Sequence, residues 1–131
     1  MSCGAIAICA GALLVGAAQV HDGDTLRVGG QSVRLHGVDA EELDEPHGLK
    51  ARDVLIEIVG DGPVHCAPVG RSYKRVVAYC FTPGGLDLSA ELIRRGAALD
   101  CARYSGGRFR EFEPSGVREV LRQKDYCHVS D

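Results

Sequence analysis

The sequence lacks most of the features that assign a chain to a class by composition. It has no excess of positive charge: 15 lysines and arginines stand against 18 aspartates and glutamates, a formal net charge of −3. That balance excludes a uniformly basic surface of the kind that coats polyanions indiscriminately. Neither a Cys-x-x-Cys nor a His-x-x-x-His spacing occurs among its six cysteines and five histidines, so the usual ligand patterns of a zinc site are missing. There is no internal repeat and no low-complexity linker, which leaves 131 residues as one domain with ordinary hydrophobic (45%) and charged (25%) content.

Long hydrophobic runs are also missing. Residues 1–18 are small and apolar with no charged side chain, a run short of the ~20 residues that a transmembrane helix needs. No stable membrane association is expected. Val15-Gly16-Ala17 and Gly16-Ala17-Ala18 offer the small residues that signal peptidase prefers, but no basic residue precedes the apolar stretch. Two readings stand. Residues 1–18 are a signal segment, making the protein secreted or periplasmic, or they lead into the first strand of a cytoplasmic domain. Six cysteines favour export. Cys66 and Cys80 lie on strands expected to pair, where a disulfide closes a loop of about fifteen residues, worth about 3 kcal/mol in the chain-entropy model. Cys101 and Cys127 are available for a second bridge tying down the C-terminal helix, and zinc held by cysteines with His65 or His128 is the rival to bridging.

What is present in abundance is charge of both signs between His21 and Glu42. Thr25–Val28 and Ser32–Leu35 alternate with period two around Gly29-Gly30, which reads as a hairpin. A hairpin delivers Asp24, before its first strand, and Asp39, after its second, to the same end of the ladder. Carboxylates brought together need a cation between them or a retained proton, and oxygen donors suit calcium or magnesium. Val33 and Leu35 face the core, which turns Arg34 to the side of the acids. Cation, guanidinium and a spare carboxylate form the equipment for attacking a phosphate ester. A hairpin rim with solvated salt bridges is the plainer alternative. His21 and His36 border this stretch as rim or strand residues.

Further along, Ala51, Val54, Leu55, Ile58 and Val59 have helical spacing, ended at Gly60. Val64–Ala67 and Val76–Phe81 read as strands joined by a loop carrying Arg71 and Tyr73. A short helix, Leu88–Arg95, is capped by Asp87 or Ser89 and stops at Gly96. Residues 102–113 form a glycine-rich loop of interleaved arginines and aromatics, suited either to backbone contact with base stacking or to anchoring a surface loop. Ser115 is placed to cap a last helix with Val117, Val120 and Leu121 facing inward.

Three blocks, in this order, resemble the signature of the staphylococcal nuclease (thermonuclease) family. They are Asp22-Gly23-Asp24-Thr25 with Val33-Arg34-Leu35, Gly37-Val38-Asp39-Ala40 and Glu42; Tyr73-Lys74-Arg75 with Val76-Val77-Ala78-Tyr79; and Leu86-Asp87-Leu88 through Leu92-Ile93-Arg94-Arg95-Gly96-Ala97-Ala98. The resemblance spans roughly residues 16–105. It implies an α+β, mainly β, five-stranded barrel of the oligonucleotide-binding type with three helices, residues 19–131 forming a single domain. By position, Asp24, Asp39 and the carbonyl of Ala40 correspond to ligands of a Ca2+ cofactor, and Asp22 to an acid behind them. Glu42 corresponds to the general base, and Arg34 and Arg75 to the arginines on the phosphate. Tyr73, Lys74 and Tyr104 fall where substrate is bound. Two positions depart from the pattern: Glu41 replaces the usual proline and adds a charge that competes for metal, and Lys74 stands where glycine is common, strained if that turn needs a positive φ.

The resemblance therefore implies a monomeric, calcium-dependent nuclease that hydrolyses single-stranded DNA and RNA with little sequence preference, leaving 3′-phosphates. Phosphate attraction in an acidic chain has to be local, from Arg34, Arg71, Lys74, Arg75, Arg103, Arg108 and Arg110. The alternative from another class is a catalytically silent nucleic-acid-binding module, in which acids or arginines are expected to be lost; Asp24, Arg34, Asp39, Glu42 and Arg75 are all present. A third reading is a small secreted domain whose acids bind calcium for stability alone.

Overall fold

A computed structural model describes residues 13–128. Five strands close a barrel in the order β1 (Leu14–Val20), β2 (Thr25–Val28), β3 (Gln31–Leu35), β6 (Arg75–Phe81) and β5 (Pro63–Ser72). A separate ladder of two short strands joins β4 (Val38–Asp39) to β7 (Leu99–Asp100). Two helices of some length, α1 (Gly48–Val59) and α2 (Leu88–Arg94), accompany the barrel, with the single turns α3 (Ala102–Ser105) and α4 (Val117–Val120) near its C-terminal end.

The hairpin forms where its glycines dictate. Val28 pairs with Gln31 around Gly29 and Gly30, whose φ values of 56° and 84° are those of a type I′ turn. Alternation then sorts the side chains: Leu26, Val28, Val33 and Leu35 are fully buried, while Arg34 lies on the other face. β3 runs parallel to β6, with Arg34 opposite Val77. Closure is completed by β1, which pairs with β2 through Ala18–Val20 and with β5 through Leu14–Ala17. Leu14 to Ala18 therefore belong to the barrel wall, and a cut directly after Ala18 would remove most of β1. The part of the proposed signal segment before Leu13 lies outside the described residues.

Helix α1 buries Ala51, Leu55, Ile58 and Val59, as its spacing implies, and ends at Gly60 with φ 60°. Helix α2 is capped by Asp87, whose carboxylate accepts the amides of Ser89 and Ala90 at 2.9 and 3.2 Å. Three expectations are corrected. The Arg71–Tyr73 segment is not a loop: β5 continues to Ser72, which pairs with Arg75 around the two-residue turn Tyr73-Lys74. The positive φ of that turn falls on Tyr73 (58°) and not on Lys74. The last helix is only the turn Val117–Val120, without a cap from Ser115; Val117 and Leu121 are buried, but Val120 is exposed.

Residues 102–113 are held by buried anchors. Phe109 is buried, the Arg94 guanidinium lies 4.5 Å over Phe112, and that of Arg108 lies 4.5 Å over Tyr79. Both expected disulfides are present, Cys66–Cys80 between directly paired positions of β5 and β6, and Cys101–Cys127. Two disulfides fit a non-reducing compartment, and they leave those four cysteines unable to bind zinc. No helix among the described residues is long and apolar enough to cross a membrane.

Candidate nucleic-acid interface and active site

The site lies where the start of β2, the end of β3 and the acidic segment after β4 meet. Two close approaches make this possible. At Gly23 a Cβ would lie 2.6 Å from Cβ of Ala40 and 2.7 Å from that of Ala51, so the Asp22–Asp24 loop sits directly on the Asp39–Ala40 segment and α1. At Gly48 a Cβ would fall 1.7 Å from the carbonyl oxygen of Glu42, so α1 begins tightly under the acidic segment. Neither glycine carries chemistry, and the close approaches that require them are not written in local sequence.

Asp24 is nearly buried and accepts the Thr25 hydroxyl on Oδ1 at 3.0 Å. Nη2 of Arg34 approaches Asp24 Oδ2 at 3.6 Å and donates to the Val38 carbonyl at 2.9 Å, while Nη1 donates to the carbonyl of Leu35. One guanidinium thus ties the acid before β2 to the strand that carries Asp39. Arg75 reaches the same place from β6, donating from Nη1 to Thr25 Oγ1 at 3.1 Å. Asp22 stands behind: its Oδ1 accepts the Asp24 amide at 3.1 Å. Burial, followed by the neighbouring Asp24 charge, pushes the Asp22 carboxyl up to about 6.

The second half of the acid cluster is organised by a residue absent from the sequence-derived site, Lys124. Its amide donates to Asp39 Oδ2 at 2.8 Å. Its ammonium donates to Asp39 Oδ1 and the Ala40 carbonyl, each at 2.9 Å, and lies 3.3 Å from Glu42 Oε1. Burial alone would lower the Lys124 pKa, but bonding to Asp39, with the charges of Asp39 and Glu42, raises it. Glu42 itself is half-exposed and free to turn toward solvent. Nothing in local sequence signals a partner 85 residues away; only the position of Lys124 beside the bridged Cys127 hints that it is held in place.

The carboxylate of Glu41 is taken up by partners outside the cluster. It is buried and accepts the His47 amide at 3.1 Å, His47 Nδ1 at 3.0 Å and the Arg122 amide at 3.0 Å. Burial would raise its pKa, yet these donors, Arg122 first, bring it below the usual 4.5. The residue in place of proline is a structural clamp.

Beside the arginines opens a groove of about 510 Å³ lined by Arg34, His36, Arg71, Tyr73, Arg75, Tyr104 and Tyr126. Tyr104 and Tyr126 stand 6.3 Å apart, and His36 packs edge-on against Tyr79 at 5.0 Å. Burial lowers the His36 pKa. Tyr126 was not among the expected substrate residues. Lys74 is not in the groove wall, and Tyr73 projects almost wholly into solvent at its rim. Arg108 and Arg110 are drawn toward Asp87 and Glu113 at 3.8 and 3.2 Å, which reduces what they offer a phosphate.

For a hard cation the available donors are chemically apt, all of them oxygens, and the ammonium of Lys124 already rests on Asp39, Ala40 and Glu42 in a cation's manner. Among the described residues no three or more His, Cys, Asp or Glu side chains converge on a single point. The structure thus divides the expected ligands between two bases, Asp24 facing Arg34 and Asp39 facing Lys124.

Residues 32–113 match the family described as Staphylococcal nuclease homologue. That stretch contains Arg34, Asp39, Ala40, Glu42 and Arg75 and begins after Asp24. The chain is also similar to the succinoglycan biosynthesis protein ExoI of Rhizobium meliloti (strain 1021), 35% identical over an alignment of 101 residues that covers 66% of this chain and 52% of that protein. It therefore spans about half the length of the curated relative it matches.

Proposed function

We propose that this chain, which belongs to the staphylococcal nuclease homologue family, is a hydrolase that cleaves phosphodiester bonds in single-stranded DNA and RNA with little sequence preference. The observation that carries the reading is that Arg34 and Arg75 line one groove and are linked to each other through Thr25 and Asp24.

The roles follow from what each group can do at its position. A phosphodiester in the groove presents non-bridging oxygens to the two guanidiniums, which are planar, permanently charged and able to form paired hydrogen bonds. Their contribution grows as water attacks and charge builds on the equatorial oxygens, so they act mainly on the transition state. Glu42, half-exposed beside the cluster, takes the proton from the attacking water. The water oxygen bonds to phosphorus as the P–O5′ bond breaks; the departing O5′ takes a proton from solvent, so that one fragment ends in a 3′-phosphate and the other in a 5′-hydroxyl. Asp24, Asp39 and the Ala40 carbonyl are the groups that would hold Ca2+, with Asp22 supporting Asp24. Calcium, when bound, supplies charge neutralisation at the phosphate and an acidified water. Tyr73, Lys74 and Tyr104 flank the entering strand, the tyrosines offering ring faces on which bases stack.

The test is release of acid-soluble nucleotides from denatured DNA, with calcium and with chelator, by wild type, Glu42→Gln, Arg34→Ala and Arg75→Ala. Calcium-dependent digestion is expected, with a loss of roughly two to three orders of magnitude for each arginine variant, as for a removed oxyanion donor. DNA that is bound but left whole by wild type would overturn the reading in favour of a binding module.

A further inference from the structure

Lys124 is held too firmly to be an incidental surface contact. Its backbone is pinned by the bond from its amide to Asp39, two residues earlier by the Arg122 amide on Glu41, and three residues later by the Cys101–Cys127 disulfide. Between these points Gln123 Nε2 donates to the Asp100 carbonyl at 2.9 Å, and just before them Leu121 is buried with Leu99 and Val117. From this strap the side chain extends to three oxygens, Asp39 Oδ1, Ala40 O and Glu42 Oε1. An ammonium has three hydrogens to donate, and here each has an oxygen to meet.

Those oxygens include two of the groups assigned above to calcium. Calcium requires them at ~2.3–2.6 Å, whereas the Lys124 ammonium stands 2.9 Å from both. The two cations cannot share the position. Resting on the calcium reading of the site, we propose that Lys124 is a tethered internal cation that competes with the divalent ion. Calcium gains Asp39 and Ala40 only by displacing the ammonium, and the strap Leu121–Cys127 thereby sets the cation affinity. Apparent affinity is reduced by the fraction of molecules in which the lysine is already away. Tethering keeps its effective concentration high without fixing it irreversibly, because the ammonium can swing toward solvent while the amide stays on Asp39.

The experiment is calorimetric titration of Ca2+ into the full chain as wild type, Lys124→Gln and Lys124→Met, both of which keep the amide bond to Asp39. Calcium affinity is expected to rise roughly tenfold or more in both variants. Affinity that is unchanged or weaker in both, or no calcium binding in any form, overturns the proposal. Should the variants not fold, the wild type decides by side-chain NMR. The chain has three lysines, of which Lys50 and Lys74 are exposed, so the paired Lys124 signal stands apart. It is expected to move toward the exposed-lysine position as calcium saturates; a signal that stays in place overturns the competition. Digestion of denatured DNA by wild type, scored separately, shows whether the nuclease reading survives either result.

Discussion

The hydroxyl of Thr25 receives a hydrogen bond from Arg75 at 3.1 Å and donates its own proton to Asp24 at 3.0 Å. A single buried side chain thus sets the distance between a guanidinium proposed to bind phosphate and a candidate metal ligand that lie 51 residues apart in the sequence. Thr25→Val keeps the shape and removes the link. Thr25 sits in a strand, where valine is at ease, so folding is expected to be retained. In the digestion assay kcat should fall about tenfold, since misplacement of a charged group by a fraction of an ångström has that scale of cost. Unchanged kcat would show that Arg75 is positioned without Thr25.

Glu41 predicts a pH dependence. Its folded pKa lies below the ordinary 4.5, because the amides of Arg122 and His47 and the His47 ring outweigh its burial. A depressed carboxyl pKa stabilises the fold above the unfolded value, and the stabilisation is lost as pH falls through the folded value. Glu41→Gln is therefore expected to lower stability at pH 7 by about 1–3 kcal/mol, the range for a charged hydrogen-bond acceptor removed from a buried site. The difference from wild type should shrink as pH drops below about 4.5. Urea unfolding at pH 7 and pH 4 measures both. A constant difference at the two values would mean that the carboxylate charge contributes nothing.

Close packing at Gly48 gives a sharper result. A Cβ at 1.7 Å from the Glu42 carbonyl cannot be absorbed by a side-chain rotation, since the obstacle is backbone. Gly48→Ala must push α1 away from the acidic segment, displacing Glu42. The expected outcome is destabilisation of about 3 kcal/mol or more together with loss of digestion. A variant as stable as wild type would mean that the helix start relaxes freely.

The parts of this molecule that were legible in the sequence are those written in local pattern. Gly29-Gly30 between alternating strands specified a hairpin, Asp87 marked a cap, and the spacing of Ala51, Leu55 and Ile58 marked a helix; each rule acts over a few residues. Tyr73 misled because a positive φ is expected on glycine or asparagine, and the tight pairing of Ser72 with Arg75 overrode that preference. Lys124 and Tyr126 were invisible for a different reason. Their partners, Asp39 and Tyr104, are distant in sequence and meet them where the C-terminal segment folds back beside the Cys101–Cys127 bridge, and no periodicity records such a contact.

That bridge and its companion are expected to fail differently. In the chain-entropy model a loop of about fifteen residues is worth about 3 kcal/mol and one near thirty only slightly more, so entropy alone hardly separates them. Their surroundings do. Cys66 and Cys80 are direct partners in the β5–β6 ladder, with both side chains in the core, so the strands stay paired when the sulfurs are removed. The effect of Cys66→Ala with Cys80→Ala should be a global loss of stability spread over the barrel. Cys101 and Cys127 instead join a core position to a segment otherwise held mainly through Asp39, Glu41 and the Asp100 carbonyl. Cys101→Ala with Cys127→Ala should therefore open that segment locally. Hydrogen exchange distinguishes the two: amides of Arg122 and Lys124 are expected to lose protection before those of Val33 and Ala78 in the second pair of substitutions, and together with them in the first. Simultaneous loss in both would mean that the strap is no weaker than the barrel it rests on.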